Sequence, residues 1–334
     1  MQSPFDAVLV IAFGGPLGPA DIRPFLANVL RGRRVAPERV EEVAHHYELF
    51  GGVSPLTALT MRQAEGLRTR LANAGVPLPV YVGMRNWTPY LADTMAEMSR
   101  AGVRRAIGFI TAAHRTYSSC GQYRENVRAA RVALREAGLA DIDVTYVPNW
   151  HTHDGFIDSN AAHIREALDK LDRDVRDDAR LVFTAHSIPT PAADASQYRE
   201  QLRESAARVA ARLGRADDWT LAYQSRSGRP EDPWLEPDIL DHLRHLKAGG
   251  APAVVLCPIG FLCDHVEVLY DLDYEAAGVA RDLGLPFVRA EAVNDDEHFM
   301  DAMTDVVLAT CRRYATGRPL PLVPAPLPGG RRRP

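Results

Sequence analysis

The 334-residue sequence contains no C-x-x-C pair, no Walker loop, no G-x-G-x-x-G and no G-x-S-x-G elbow. Its four cysteines, Cys120, Cys257, Cys263 and Cys311, are widely spread. A zinc or iron–sulfur site calls for tighter spacing, so they read as reduced thiols. The longest apolar stretch, APAVVLCPIGFL at 251–262, is too short to cross a bilayer, so no integral membrane segment is expected. The start, MQSPFDAVLVIAF, lacks a basic leader and a cleavage site, and a cytoplasmic protein is expected. With a net charge of −4 and no basic stripe interleaved with aromatics, nucleic acid is not an expected partner.

What is present is an alternation of short apolar runs with amphipathic stretches. Strands are predicted at 7–13, 80–84, 106–111 and 143–147, then at 181–185, 219–224, 253–259 and 286–290. Between them lie patterns such as LTMRQAEGLRTRLANAG, where apolar residues recur at three and four and a glycine closes the end. Strands of continuous apolar character separated by helices imply parallel sheets covered on both faces, an α/β fold. The count divides near residue 149 into two similar four-stranded halves, 1–148 and 149–294. A last helix at about 295–315 is expected to return to the first half, and the Pro/Arg-rich tail 316–334 to be extended or disordered.

Functional residues in such folds gather at the carboxyl ends of strands. After the first strand, FGGP (13–16) reads as a tight turn or a close backbone approach to a ligand. LRGRR (30–34) reads as a solvated surface or, because guanidinium forks match carboxylates, as a clamp for an acidic ligand. HHYELFGGVSPL (45–56) reads as a loop between helices. The strand at 181–185 delivers His186, a structural or a catalytic histidine on this pattern alone; Ser187 beside it has no nucleophile elbow.

Residues 260–275, GFLCDHVEVLYDLDYE, place carboxylates at Glu267, Asp271 and Glu275 directly after a buried strand. An α-helix starting near Asp264 puts these acids on one face, with Val266, Leu269 and Tyr270 toward the core. A solvated acidic face is the ordinary reading of such a row. At a strand end, with an imidazole at another, it also suits a cleft that handles a divalent metal such as iron(II).

The segments FGGP, HYELFGGVSPL, GMRNWTPY, YSSCGQY, FTAHSIP, YQSRSGRPEDPWLEPD and PIGFLCDHVEVLYDLDYE, in this order, resemble the ferrochelatase family over residues 5–312. The resemblance implies a lyase of heme biosynthesis, built from two Rossmann-like domains with a porphyrin cleft between them. It implies catalytic and metal-contacting roles for His186 and Glu267, with Asp271 and Glu275 forming a relay. Ferrous iron is then a substrate, the other substrate is a small molecule, no organic cofactor is needed, and a monomer is expected. The segment from Leu30 to Leu56 most resembles the coproporphyrin III branch of Gram-positive and actinobacterial type. That branch implies porphyrin contacts at Phe13, Arg31, His46, Tyr47, Ser54 and Tyr123, with Arg33 added. Phe13 cannot ligate iron where some members carry tyrosine. Actinobacterial members hold a [2Fe–2S] cluster; Cys120 matches one ligand and the tail has no cysteine after Cys311, so a cluster is not expected. The alternatives are a protoporphyrin IX ferrochelatase, another tetrapyrrole chelatase, or a carrier without turnover.

Overall fold

A computed structural model describes residues 3–32, 35–229 and 231–315; Arg33 and the tail 316–334 fall outside the described residues. Eight strands form two parallel sheets of four. The first contains β1 (Ala7–Ala12), β2 (Val80–Met84), β3 (Arg105–Ile110) and β4 (Asp143–Tyr146), in the order β2-β1-β3-β4. The second contains β5 (Arg180–His186), β6 (Trp219–Gln224), β7 (Val254–Cys257) and β8 (Phe287–Arg289), in the order β6-β5-β7-β8. All six residues of β1 are buried, as a strand covered on both faces requires. Helices such as Pro55–Asn73, Gln122–Glu136, Asp154–Leu168 and Tyr198–Arg212 supply those covers.

The strand order fixes where a ligand can bind. In each sheet the strand that comes first in the chain has later strands on both sides, so the chain leaves it in opposite directions and a crevice opens at the carboxyl ends. Those ends carry Phe13 after β1 and His186 on β5. A glycine brings the loop after β7 across the end of β5. Gly260 N–H donates to the Thr184 carbonyl at 3.0 Å. A Cβ at Gly260 would lie 2.7 Å from the Ala185 Cα, closer than any side chain tolerates.

One apolar core runs through both sheets. It passes from Val8, Val10 and Phe109 through Trp150, Phe156 and Phe299 to Phe183 and Val255. The helix Glu297–Ala315 packs on both Pro55–Asn73 and Asp154–Leu168. Its Asp301 receives the Arg70 guanidinium at 2.9 Å.

Two local expectations are corrected. Residues 45–49 are not loop: they are the last turn of the helix Pro37–Leu49, and the chain turns only at Gly51 and Gly52, both with positive φ. The segment after β7 is not a plain α-helix from Asp264. It begins at Val266 and widens into a π-helix over Leu269–Ala276. Its buried residues are Val266, Val268, Leu272 and Ala276, whereas Leu269 and Tyr270 are only half-buried.

Candidate active site

β5 ends at His186, whose position is set twice over. Its backbone carbonyl accepts the buried Tyr198 hydroxyl at 3.0 Å. Its Nδ1 lies against the Ser187 carbonyl. A carbonyl only accepts, so Nδ1 carries a hydrogen and Nε2 is the nitrogen that takes up and releases the second proton. That atom sits 3.0 Å from Glu267 Oε1, and the two side chains are 37% and 39% exposed.

Between Nε2 and Oε1 there is room for one proton. Burial disfavours charge on both groups, but their mutual attraction outweighs it. The imidazole is raised to about 9, and the Glu267 carboxyl is held below its ordinary range. At neutral pH the pair is therefore imidazolium and carboxylate.

Glu267 belongs to the turn that opens the widened helix, where the His265 ring nitrogen accepts the Val268 N–H at 3.2 Å. The π-helix explains how the acids stay in line. Its hydrogen bonds close five residues back, so a turn holds more than the 3.6 residues of an α-helix. Steps of four, which overshoot an α-turn, then fall just short of one, and the two drifts offset. Glu267, Asp271 and Glu275 form one row, and the buried Val268, Leu272 and Ala276 form a second beside it.

Asp271 is held by neighbours from β6. The Ser225 hydroxyl donates to its Oδ2, and Gln224 Nε2 reaches the same oxygen at 3.3 Å. Burial and the nearby Glu267 charge lift Asp271 to about 7 despite the Ser225 bond. Glu275 is also raised, first by burial and then by Asp238. The row thus leads from a charged pair to two carboxyls that hold protons more readily than an ordinary surface acid.

The helix Pro37–Leu49 faces this row. Tyr47, packed edge-on to Phe25 at 5.7 Å between ring centroids, has its phenol raised by burial and by the Glu267 charge. His46 stacks on Tyr270 with centroids 3.5 Å apart and planes 10° from parallel. Phe13 packs against both Phe25 and the cluster of Leu56, Leu59 and Cys263. His46 and Tyr270, 224 positions apart, and Phe13 and Cys263, 250 apart, therefore meet here.

Among the described residues no group of three or more histidine, cysteine or acidic side chains can hold a metal. A resident catalytic zinc takes three protein ligands. A lone imidazole–carboxylate pair leaves most of a metal's coordination sphere to another ligand, which suits a metal in transit.

The model of the family described as Ferrochelatase matches residues 5–311. The chain belongs to the ferrochelatase family. The coproporphyrin III ferrochelatase of Streptomyces coelicolor is 46% identical over 320 residues, covering 92% of this chain and 85% of that relative. Those of Streptomyces griseus and Nocardia farcinica are 47% and 48% identical, covering 95% and 88% of this chain and 87% and 85% of theirs. In structure the chain resembles SirB from Bacillus subtilis with Fe3+, at TM-score 0.59 and 10% identity, covering 95% of this chain and 98% of that one. That likeness is one of fold. Two four-stranded parallel sheets with flanking helices are the fold of these chelatases.

The remaining family-matched positions are dispersed around the first sheet. Arg31 is exposed, and its Nη2 donates to Asn28 Oδ1 at 2.6 Å. Ser54 is buried and caps the helix Pro55–Asn73, accepting the Leu56 N–H at 3.4 Å. It also explains FGGP: a Cβ on Gly15 would meet the Ser54 Cβ at 2.6 Å, so this turn is glycine for lack of space. Tyr123 is 6% exposed and packed into the core of the first sheet.

Neighbours of two other motif residues define structural roles. Ser187 is buried and donates to the Leu235 carbonyl at 2.9 Å, which occupies its hydroxyl. Asp264 accepts Arg289 Nη1 at 2.8 Å and Asn294 Nδ2 at 2.9 Å, and Arg289 also pairs with Asp273 at 2.6 Å. This buried network pins the loop that carries Glu267. The cysteines have separate surroundings: Cys257 donates to Asn160, Cys263 accepts from Gln63, and Cys311 lies beside Ser3. Ser225, Gln224 and Asp238 adjoin this row although sequence reasoning gave them no role; all three lie within YQSRSGRPEDPWLEPD, one of the segments that carry the resemblance.

Proposed function

We propose that the protein inserts ferrous iron into coproporphyrin III, giving the iron porphyrin and two protons, with His186 and Glu267 as the catalytic pair. The observation that carries this reading is the 3.0 Å contact of His186 Nε2 with Glu267 Oε1 at the strand ends, in a chain nearly half identical to coproporphyrin III ferrochelatases. The two halves, 1–148 and 149–294, are then the two walls of a porphyrin site, with Phe13, His46 and Tyr47 on one and His186 and Glu267 on the other.

The resting pair is already protonated, so it cannot take a pyrrole proton as it stands. A dication arriving at Glu267 competes for the carboxylate that holds the imidazolium proton. That proton leaves toward Asp271, whose value near 7 lets it accept and release at neutral pH. Neutral Nε2 then accepts a pyrrole proton while iron moves to the ring nitrogens, and the second proton follows the same row. Glu275 continues the row outward. The aromatic surroundings of Phe13 and Tyr47 keep the ring face dry, which strengthens the charges at its centre.

The test is anaerobic metallation by the full chain with coproporphyrin III and protoporphyrin IX in parallel. The expected result is a higher kcat/KM for coproporphyrin III and a loss of roughly a hundredfold or more in kcat for His186→Ala, the scale of a lost general base. Porphyrin binding by that variant should persist. Preference for protoporphyrin IX overturns the substrate, and full turnover by His186→Ala overturns the assigned base.

A further inference from the structure

The helix Tyr198–Arg212 buries three polar side chains on one face. Tyr198, Gln201 and Ser205 follow one another at steps of three and four, so they share a stripe, and they are 6%, 4% and 0% exposed. A covering helix needs an apolar face, and Leu202, Ala206 and Val209 supply one beside this stripe. A buried polar group is costly unless it is hydrogen-bonded, so the partners of these three show what the stripe does.

Each of them bonds the chain at or just past a strand end. Ser205 Oγ lies 2.8 Å from the His151 carbonyl, beyond β4, and 3.0 Å from His114 Nε2, beyond β3. The hydroxyl's single hydrogen goes to a carbonyl, which can only accept. Burial pushes the His114 imidazole down to about 3, so the ring is neutral and donates from Nε2 to Ser205. Gln201 Oε1 accepts the Arg115 N–H at 2.8 Å. Held at these two points, the helix presents its third polar group, the Tyr198 hydroxyl, to the end of β5.

There Tyr198 replaces a missing rung of the sheet. β5 pairs with β6 as far as His186, opposite Gln224, but with β7 only as far as Phe183. The Gly260 N–H serves the Thr184 carbonyl, and the ladder on that side ends. The peptide joining His186 to Ser187 donates its N–H to the Gln224 carbonyl at 2.7 Å. A trans peptide points its carbonyl the opposite way, toward the side that β7 leaves open, and the Tyr198 hydroxyl meets it at 3.0 Å. The next carbonyl along, that of Ser187, takes the Nδ1 hydrogen of the His186 ring. Rotation of the 186–187 peptide would carry that carbonyl away from the ring. The bond that fixes this peptide therefore fixes where Nε2 points.

We propose that Tyr198 is a positioning residue for metal insertion, holding the His186 carbonyl so that the imidazole keeps its aim at the reacting centre. The inference rests on His186 as the base in the proposed reaction and deepens that reading. Tyr198 acts only through the backbone of His186, from a buried site in the covering helix.

The experiment compares Tyr198→Phe and Ser99→Ala with wild type. Tyr198→Phe removes one oxygen and keeps the ring that lies edge-on to His114 at 6.4 Å, so the core stays filled. Its kcat for iron insertion should fall about tenfold to a hundredfold with the porphyrin KM unchanged, the scale on which outer hydrogen-bond partners of metal-contacting histidines act. A second readout needs no turnover. The Nδ1 proton of His186, recognised as the signal missing from His186→Ala, should be downfield and slow to exchange in wild type, and upfield or exchange-broadened in Tyr198→Phe. Ser99→Ala loses a buried bond of the same kind, hydroxyl to the Ala140 carbonyl at 2.7 Å, far from the site. It should lower Tm while leaving kcat and the His186 signal as in wild type. Wild-type kcat in Tyr198→Phe, an unchanged His186 signal, or an equal loss of kcat in Ser99→Ala overturns the proposal. Failure of the wild type to metallate coproporphyrin III would sink the functional reading separately, because the Nδ1 signal is read without substrate.

Discussion

Near neutral pH the proton between His186 and Glu267 is gripped from both sides, whereas Asp271, at about 7, changes charge there. Both His186 and Asp271 are raised in the folded chain, from ordinary values of 6.5 and 3.8. Each therefore contributes stability that is complete below its unfolded value and lost as pH climbs through its folded one. For His186 that loss runs from about 6.5 to about 9; for Asp271 it runs from about 3.8 to about 7, because burial and the Glu267 charge keep the folded carboxyl protonated where the unfolded one ionises. Asp271→Asn removes the ionisation and keeps an acceptor for Ser225. Its Tm relative to wild type is expected to rise between about pH 4 and pH 7 and to level off above, measured by thermal denaturation across that range; a difference independent of pH would contradict the assignment. Asp271 itself was legible as one of a row of acids. What tunes it was not: Ser225 reaches it from a left-handed backbone conformation, φ 60, and that conformation follows from tertiary packing at the end of β6.

At the scale of elements, the strands were readable because a strand buried on both faces is apolar without interruption. The π-helix was not, since a row of acids at steps of four suits an α-helix almost as well. Only the folded chain tells them apart: Val268, Leu272 and Ala276 are buried at steps of four, whereas Leu269, three before Leu272, is only half-buried. Such a widened helix requires support from outside itself, and Arg289 supplies it from β8, pairing with Asp264 before the helix and Asp273 within it. Arg289 and Asp264 are only 10% and 12% exposed. Removing one member of a buried pair leaves the other charge uncompensated, at about 3–5 kcal/mol. Arg289→Met should therefore lose about 3 kcal/mol in urea unfolding. Adding Asp264→Asn should recover part of it, because the stranded charge disappears while the Asn294 contact is retained. If the double variant is no more stable than the single one, the network does not act through charge.

The whole molecule reads in sequence as two similar halves, and both sheets are there, yet their apolar interiors are continuous. Periodicity reports which face of a helix is buried, never against which sheet, so that continuity was hidden until the chain was folded. Phe156 stands at the junction: it is fully buried, edge-on to Trp150 at 5.4 Å, and it faces Phe299 and His114 at 6.3 and 6.2 Å. His114, from beyond β3, in turn bonds Ser205 on the helix Tyr198–Arg212 at 3.0 Å, so polar contacts cross the same junction. Phe156→Ala leaves a cavity that both halves line, at a cost of about 3–5 kcal/mol. Were the halves independent, only the sheet nearest the cavity would lose protection from hydrogen exchange. A shared core makes both open together, so amides of β1 and β5 should exchange faster by the same factor, on the order of a hundredfold or more. Acceleration confined to one sheet would show that the cooperative unit is the half. For the proposed porphyrin site the consequence is geometric: one core lies beneath Phe13 and His186 and holds them in fixed relation, so on this proposal it is the ring that adapts.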